Sequence, residues 1–280
     1  MASKISILGT GWLGAALFKD LLSSNYTVYG STRSTKRRMA LEDFKVALLK
    51  SNRQITATTK LFSLEVPNLQ AEHTAFFDTD VLIITIPPGR RRPNVINAYS
   101  TEVKVILDWA IKYGTKHLIY TSSTGIYGNT TGVVDEKTPP SPSTPSSRAV
   151  VAAEQLIQSS LLPSTILRLA GLYGPGRHPG RWFGSKPTLP NADAPVNLVH
   201  QYDVVAAVRT VIENASWDQV YNVCAQAHPT KGEFYTKAVL DLGLDLPALE
   251  SGGTGGKIVD SQKIRSNLGW SPHFDALPLT

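Results

Sequence analysis

Several groups of residues could do chemistry, and the first is a glycine triplet near the amino terminus. Gly9-Thr10-Gly11-Trp12-Leu13-Gly14 directly follows the strand-like run Lys4–Leu8 and precedes a stretch with apolar residues at helical spacing. Strand, G-x-G-x-x-G and helix in that order are typical of a turn that binds the diphosphate of a dinucleotide. The first glycine permits the turn, the second leaves room for the phosphates, and the third lets helix and strand pack closely. The alternative at this stage is an ordinary glycine-rich turn.

The end of the second predicted strand separates the two nicotinamide dinucleotides. An acidic residue there binds the ribose 2′-hydroxyl of NAD, whereas a basic one accommodates the 2′-phosphate of NADP. This chain has Ser31, Thr32, Arg33 and Ser34 at that point, and no acidic residue before Glu42. Arg33 offers a planar fork of donors, and the hydroxyls add further donors. The sequence therefore predicts NADP rather than NAD, against the plainer interpretation that Arg33 points into water.

A second group contains the predicted catalytic residues. Ser123 and Tyr127 follow an apolar run, while Ser146 and Arg148 lie at the start of a later predicted helix. A serine transfers protons only when a neighbouring group activates it, and an arginine can stabilise an oxyanion but cannot act as a base. Each residue also has a plain alternative role: Ser146 as a helix cap, Arg148 as a surface charge and Tyr127 in packing.

These residues need a scaffold, and the pattern of the chain predicts one. Beyond the first strand we predict strands at residues 27–31, 60–64, 80–86, 117–121 and 165–170, and helices at residues 36–50, 95–113 and 149–161. Asp80–Ile86 is almost uninterrupted in apolar character, as a strand buried on both faces requires. Alternating strands and helices predict an α/β fold, a Rossmann-type doubly wound parallel sheet with the cofactor at the carboxyl ends of its strands. Ile86 and Pro87, at the end of the fourth strand, are therefore predicted cofactor contacts.

The predicted domain organisation has two parts. Residues 129–147 break the pattern with prolines, serines and threonines, and so long a loop is usually functional or mobile. Later segments such as Val196–His200, Val204–Ile212 and Lys231–Leu242 alternate short strands and helices. We predict a dinucleotide-binding Rossmann domain over residues 1–170 and a smaller substrate-binding lobe over residues 171–280, with segments returning to the sheet.

Composition narrows the class of protein. With 42% hydrophobic and 18% charged residues among 280, the chain is of the globular type. No apolar run approaches the ~20 residues that span a bilayer, and the early strand leaves no room for a signal peptide. The single cysteine, Cys224, lies in an apolar stretch, so we expect a buried reduced thiol. These features predict a cytoplasmic protein that does not bind membranes.

The charge pattern favours a small anionic ligand over nucleic acid. The formal net charge is +6, and two basic clusters, Lys36-Arg37-Arg38 and Arg90-Arg91-Arg92, stand out. Neither has the interleaved aromatic residues of a nucleic-acid platform, so we expect solvated surface there. The loop Gly174–Gly180 carries Arg177 and His178, which suit a carboxylate or phosphate on a substrate. No spacing of histidines and cysteines indicates a metal site.

Several segments resemble one enzyme family, in the same order along the chain. Tyr120–Gly128 resembles the serine motif after the fifth strand of extended short-chain dehydrogenases/reductases, the NAD-dependent epimerase/dehydratase group. Arg168–Gly176 is similar to the family's Arg…Tyr-Gly-Pro segment, and Asn197–Val204 to its His-x-x-Asp-Val element. Tyr221-Asn222-Val223 and Leu268–Pro272 are similar as well. The resemblance runs nearly end to end and, through Gly171–Arg181, points to an atypical branch of that family.

The resemblance implies roles for individual residues. Ser123 matches the serine that hydrogen-bonds the substrate oxygen, and Arg168 is expected to support substrate or loop geometry. His200 could move protons at the substrate; alternatively, His200 and Asp203 pin the turn between a strand and a helix, with Asp203 as the helix cap.

The chain departs from the family at the catalytic helix, which normally carries Tyr-x-x-x-Lys. Anchoring the match on Pro145 and Ala152-Ala153-Glu154 places Ser146 at the tyrosine position and Val150 at the lysine position. The resemblance still implies an oxidoreductase or epimerase/dehydratase-like enzyme that transfers hydride to or from a small polar substrate, with NADP as the cofactor that Arg33 favours, and it leaves a homodimer open. A non-catalytic NADP(H)-binding redox sensor or interaction protein is the alternative.

Overall fold

The computed structural model describes residues 3–52, 58–66, 68–89, 92–184 and 186–279. Arg90 and Arg91, in the second basic cluster, lie outside the described residues. Within these ranges, no helix combines the length and apolar character needed to cross a membrane.

The described residues form strands along most of the chain. In chain order they are β1 (Lys4–Leu8), β2 (Thr27–Ser31), β3 (Thr59–Phe62), β4 (Val81–Ile84), β5 (His117–Ser123), β6 (Gly132–Val134), β7 (Ser164–Leu169), β8 (Gly171–Tyr173), β9 (Thr188–Leu189), β10 (Leu198–His200), β11 (Gln219–Val223), β12 (Ala248–Leu249) and β13 (Lys257–Val259).

Helices alternate with the early strands. They are α1 (Trp12–Ser23), α2 (Thr35–Ser51), α3 (Thr74–Phe77), α4 (Val95–Lys112), α5 (Pro145–Gln158), α6 (Gln201–Glu213), α7 (Lys231–Asp241) and α8 (Gln262–Leu268). Short 3₁₀ turns cover Ala71–His73, Thr124–Tyr127 and Pro179–Trp182.

The central sheet confirms the predicted fold class. Its seven strands have the order β11-β7-β5-β4-β1-β2-β3. Strand β1 pairs in parallel with β2 on one side and β4 on the other, so the strand order reverses next to β1. This reversal is the point at which doubly wound sheets bind ligands. The fold is therefore the Rossmann-type α/β fold that the alternating pattern predicts.

Strand β4 is shorter than the sequence predicts. All four residues of Val81–Ile84 are buried, as the apolar run requires. Thr85 and Ile86 were expected to continue the strand, but the hydroxyl of Thr85 donates to the carbonyl of Gly9 instead. The end of β4 is thus bound to the turn that follows β1.

The proline-rich segment before α5 also differs from the prediction of an irregular loop. Its residues Gly132–Val134 form β6, which pairs in parallel with β13. Helix α5 begins at Pro145, four residues before the predicted start, because proline suits the first position of a helix.

The chain divides into two compact units. The first comprises residues 1–122, 148–166 and 211–219, and the second comprises residues 123–147, 167–210 and 220–280. The chain passes between the two units several times, whereas the sequence analysis predicts a single division at residue 170. The core of the second unit includes Tyr173, Leu198, Phe234 and Tyr235, all buried.

Candidate dinucleotide site and catalytic segment

The glycine turn of the first unit has the form that its motif requires. Gly9 has a φ of +99°, and a Cβ there would lie 2.6 Å from Cγ2 of Ile86. A Cβ on Gly14 would overlap the carbonyl oxygen of Gly9, so only glycine lets α1 pack this closely on the turn. At Gly11, by contrast, the nearest atom to an added Cβ is the Gly9 oxygen at 4.0 Å. That open space is what a diphosphate at the middle glycine needs.

The start of α1 has no side-chain cap. Gly11 occupies the cap position without a side-chain hydrogen bond, and the first turn contains no acidic residue. The first N–H groups of a helix lack partners within the helix and carry its positive end. Together with the space at Gly11, these groups fit an anionic ligand.

The other residues of the motif act mainly through the backbone. Thr10 is buried, and its hydroxyl and amide both donate to the Ser31 carbonyl, at 3.0 and 2.8 Å. Leu13 is buried and Trp12 is half-buried. Ser31, predicted to face the ribose, accepts a hydrogen bond from the Gly9 amide at 2.9 Å. The turn is therefore held to β2 by Thr10 and Ser31. Ligand contact by these residues stays a prediction.

Arg33, the predicted contact for a 2′-phosphate, lies just after the end of β2. Its side chain is 75% exposed and its Nη1 lies 3.5 Å from Oε1 of Glu65, which is also exposed. Lys36 and Arg37 are exposed in the first turn of α2. Glu65 follows β3 and was missed by the sequence analysis, because only the pairing of β3 with β2 brings it near Arg33.

The hydroxyls beside Arg33 have local partners. Ser34 caps α2 by accepting from the Arg37 amide at 3.3 Å. Thr32 is buried and accepts from the Ser34 amide at 3.2 Å. A hydroxyl that accepts can still donate its own proton, so these groups stay compatible with a phosphate.

Ser123 begins the second unit and sits at the start of a 3₁₀ turn. It is half-buried, and its Oγ accepts from the Gly125 amide at 3.0 Å. Lys257, which the sequence analysis did not single out, donates to the carbonyls of Thr124 and Gly128, at 3.2 and 2.8 Å. The two contacts span the turn and fix the backbone that follows Ser123.

Tyr127 and Arg168 lie together in a buried polar network. The Tyr127 hydroxyl donates to Oδ1 of Asn222 at 2.8 Å and accepts from Nη1 of Arg168 at 2.9 Å. Arg168 also donates to the carbonyl of Glu136 at 3.2 Å. Burial raises the pKa of the Tyr127 phenol, although Arg168 and Asn222 oppose the shift. This geometry supports the packing role for Tyr127; its part in proton transfer stays a prediction.

Two members of that network were not foreseen. The Asn222 amide donates to Oε1 of Glu136 at 2.6 Å. Burial raises the pKa of Glu136. In the sequence, Asn222 appeared only as part of a family-like Tyr-Asn-Val triplet, and Glu136 lay in the loop that seemed irregular.

The cap role proposed for Ser146 was wrong. Thr144 caps α5: its Oγ1 accepts from the Ser147 amide at 3.1 Å, and its own amide donates to Ser147 Oγ at 3.0 Å. Ser146 is half-buried, with its Oγ 3.3 Å from Thr144 Oγ1. Arg148 is exposed, and Val150, which the sequence analysis predicts at the family's lysine position, is buried.

The predicted substrate loop is only partly open to solvent. Arg177 is exposed. His178 is half-buried: its Nδ1 accepts from the Gly180 amide at 3.2 Å, and its Nε2 lies 3.1 Å from Oδ2 of Asp241. Of the two, Arg177 is the cation more accessible to a ligand.

His200 is buried and acts at the start of α6. Its Nδ1 accepts from the Tyr202 amide at 3.2 Å, so the ring proton of the neutral form lies on Nε2. Burial and the neighbouring His273 lower the pKa of His200. Within the described part of the chain, Nε2 has no hydrogen-bond partner.

The predicted helix cap by Asp203 was wrong. Helix α6 begins at Gln201, two residues earlier. The buried carboxylate of Asp203 instead accepts from the amides of His273 and Phe274, at 2.7 and 3.1 Å. It therefore ties α6 to the carboxyl-terminal segment.

Cys224 has the properties of a packing residue. It is buried as predicted, and burial raises the pKa of its thiol to about 12. Because the thiolate is the nucleophile, this thiol is unreactive at neutral pH.

Comparison with known proteins shows the family to which the chain belongs. Residues 5–224 match the model of the NAD dependent epimerase/dehydratase family. Protein YeeZ of Escherichia coli strain K12 is 36% identical over 97% of this chain and 96% of its own.

Solved structures share the fold at lower identity. The UDP-glucuronic acid 4-epimerase of Bacillus cereus in complex with NAD is similar with a TM-score of 0.74 and 19% identity, covering 96% of this chain and 94% of its own. The UDP-glucose 4-epimerase of Thermotoga maritima with UDP-glucose is similar with a TM-score of 0.69 and 21% identity, over 96% and 94%.

Proposed function

The chain belongs to the NAD-dependent epimerase/dehydratase family, and we propose that it is an enzyme that binds NADP in preference to NAD. The proposed reaction is an oxidation, reduction or epimerase/dehydratase-like conversion at a carbonyl or alcohol carbon of a small polar substrate. An anionic substrate, a cytoplasmic location and a homodimeric state complete the proposal.

One observation carries the cofactor assignment. An added Cβ at Gly11 would meet only open space, beside a helix start that has no side-chain cap and no first-turn acid. A diphosphate bound at this turn needs both the space and the N–H donors. The residues present therefore fit a dinucleotide.

The preference for NADP rests on the charges at the end of β2. Arg33, Lys36 and Arg37 are exposed there, and the strand end itself has no acidic residue. Glu65 is the opposing charge, 3.5 Å from Arg33. Three cations against one carboxylate favour the 2′-phosphate, and the guanidinium fork suits it geometrically.

The chain's own groups supply the remaining functions. When bound, the nicotinamide supplies hydride chemistry, while the protein orients the reactants. We assign the Ser123 hydroxyl to hold the substrate oxygen, because its O–H can donate while its oxygen accepts from Gly125. Arg177, exposed on its loop, would bind an anionic substrate group.

A binding-only function is the second candidate. Its support is the buried Val150 at the lysine position of the family, together with the internal bonds of the Tyr127 hydroxyl. A protein with those features could bind NADPH and signal its presence without turnover.

The test has a binding stage and a turnover stage. Isothermal titration with NADPH and NADH should give a lower Kd for NADPH. NADPH absorbance with a panel of small carbonyl compounds should then reveal turnover, which Ser123→Ala abolishes while the NADPH affinity stays within about twofold, because Ser123 acts on the substrate oxygen. Binding without turnover would favour the sensor, and absence of binding to either dinucleotide would overturn the proposal.

Ser146→Ala separates the two serines. Because Ser146 stands at the family's tyrosine position, loss of turnover in this variant would assign the proton transfer to it. Full turnover in Ser123→Ala would contradict the role given to Ser123.

A further inference from the structure

A buried tyrosine pair lies behind the end of β4 in the first unit. Tyr99, on α4, is fully buried, and its hydroxyl donates to the carbonyl of Ile86 at 2.8 Å. The hydroxyls of Tyr99 and Tyr120 are 3.2 Å apart. Since the single proton of Tyr99 is used on Ile86, Tyr120 must be the donor to Tyr99. Tyr120 thus donates to Tyr99, and Tyr99 donates to the backbone carbonyl of Ile86.

Burial keeps these two hydrogen bonds intact. The pKa of each phenol is raised above its ordinary value, mainly by burial. Both therefore stay protonated at neutral pH and keep their hydrogen bonds. The Ile86 carbonyl lies beyond the last residue of β4, so the bond from Tyr99 replaces the ladder hydrogen bond that a strand residue would have.

Ile86 is bound to the glycine turn on its other side. The preceding residue, Thr85, donates through its hydroxyl to the Gly9 carbonyl at 2.5 Å and through its amide to Leu8 at 3.0 Å. The Cγ2 of Ile86 fills the space beside Gly9, only 2.6 Å from where a Cβ would lie. Movement of Ile86 would therefore change the wall of the turn.

The order of the strands in the sheet indicates which half of a dinucleotide would lie next to Ile86. Strand β1 lies between β2 and β4. In a doubly wound sheet the strand after the first helix binds the adenosine ribose, so the other half of the dinucleotide extends over the β4 side. Ile86 is half-exposed at that edge.

We propose that Tyr99 is a positioning residue for the nicotinamide half of the dinucleotide, acting through its hydrogen bond to Ile86. The inference rests on the proposed cofactor function. It assigns Tyr99 a task beyond packing, because its hydrogen bond sets the position of Ile86.

The experiment compares Tyr99→Phe with Tyr120→Phe. Both remove one buried hydroxyl from the same pair, but only Tyr99→Phe removes the bond to Ile86. Each protein is titrated calorimetrically with NADP⁺ and with adenosine 2′,5′-bisphosphate, which lacks the nicotinamide half. We expect Tyr99→Phe to weaken NADP⁺ by about tenfold, the effect of one lost hydrogen bond, and to leave the bisphosphate unchanged. Tyr120→Phe should keep both affinities within about twofold.

A second variant guards against misfolding of Tyr99→Phe. Thr85→Val removes the hydroxyl that binds Gly9 and should give the same pattern of weakened NADP⁺ and unchanged bisphosphate. Equal losses for both ligands, or no loss in Tyr99→Phe, would overturn the positioning role. Wild-type protein that binds neither ligand would instead overturn the proposed function itself.

Discussion

The glycine turn at residues 9–14 and the predicted catalytic segment at residues 123–148 use their polar groups in opposite ways. The turn leaves open space at Gly11 and a helix start without a side-chain cap. In the catalytic segment, the Tyr127 hydroxyl is bound to Arg168 and Asn222, and Ser147 is bound to the Thr144 cap. The glycine turn keeps space and an uncapped helix start for a ligand. In the predicted catalytic segment, most donors and acceptors bind other groups of the protein.

The difference shows that cofactor binding and proton chemistry depend on different parts of a chain. Phosphate binding in this fold uses backbone amides, so it survives as long as the glycines do. Proton transfer depends on particular side chains, and the sequence analysis predicts Ser146 and Val150 at the positions of the family's tyrosine and lysine. A shared fold therefore predicts the cofactor more securely than the reaction.

The largest effect should come from Gly14→Ala, a substitution in the glycine turn. The new Cβ would overlap the Gly9 carbonyl oxygen and lie 3.0 Å from Thr85 Oγ1, so the turn or α1 must move. Overpacking of this kind costs about 1–3 kcal/mol or more, and we expect a lower melting temperature together with loss of NADPH binding.

Gly11→Ala is the matched control, since its Cβ has no atom nearer than 4.0 Å. It should melt at the wild-type temperature. A Gly14→Ala protein as stable as Gly11→Ala would contradict the close packing of α1 on the turn.

Tyr127→Phe tests the other region, the predicted catalytic segment. Removal of the hydroxyl leaves the buried Arg168 and Asn222 groups without that partner. We expect the free energy of unfolding in urea to fall by about 1–3 kcal/mol. Tyr202→Phe, at an exposed tyrosine of the same unit, should change it little. Unchanged stability combined with lost turnover would give Tyr127 a catalytic role and remove the contrast between the regions.

Substitutions at the Arg33–Glu65 pair should shift cofactor preference by smaller amounts. Arg33→Ala should weaken NADPH by about tenfold, a typical value for one charge-assisted contact, without effect on NADH. Glu65→Gln removes a carboxylate that would face the 2′-phosphate and should strengthen NADPH slightly, more at low salt. Calorimetry at two salt concentrations measures both, and equal losses for NADPH and NADH in Arg33→Ala would refute the assignment.

The smallest effect concerns His200, whose pKa burial lowers below its ordinary value of 6.5. Below about pH 6.5 the unfolded chain binds a proton that the folded chain resists, so stability falls as pH decreases through the folded pKa. His200→Gln should flatten this slope, by at most about 1.4 kcal/mol per pH unit. Melting temperatures between pH 7 and pH 5 test it, and an identical slope in the variant would contradict the buried neutral histidine.

Local sequence patterns predicted most of the scaffold. The strand Lys4–Leu8, the turn and the helix that follows were readable because glycine spacing and apolar periodicity are local signals. The early end of β4 was not, because it lies where the Thr85 side chain binds Gly9, a residue far away in the sequence. The start of α5 was missed since Thr144 and Ser147 form a reciprocal cap inside a proline-rich stretch.

The candidate site was less predictable for the same reason. Glu65, Lys257 and the Glu136–Asn222 contact depend on strand pairings or on residues far apart in the chain. No short motif marks such partners. Tyr99 is similar, because nothing in its helix indicates that its hydroxyl reaches Ile86.

The central claim is that the glycine turn binds a dinucleotide diphosphate, and titration of wild-type protein and Gly11→Ala with NADPH tests it most directly. The account predicts that the wild type binds, and that Gly11→Ala keeps its melting temperature but loses at least about tenfold in affinity, because a methyl group fills the space for the phosphates. No heat with the wild type, or equal affinity in the two proteins, would contradict it.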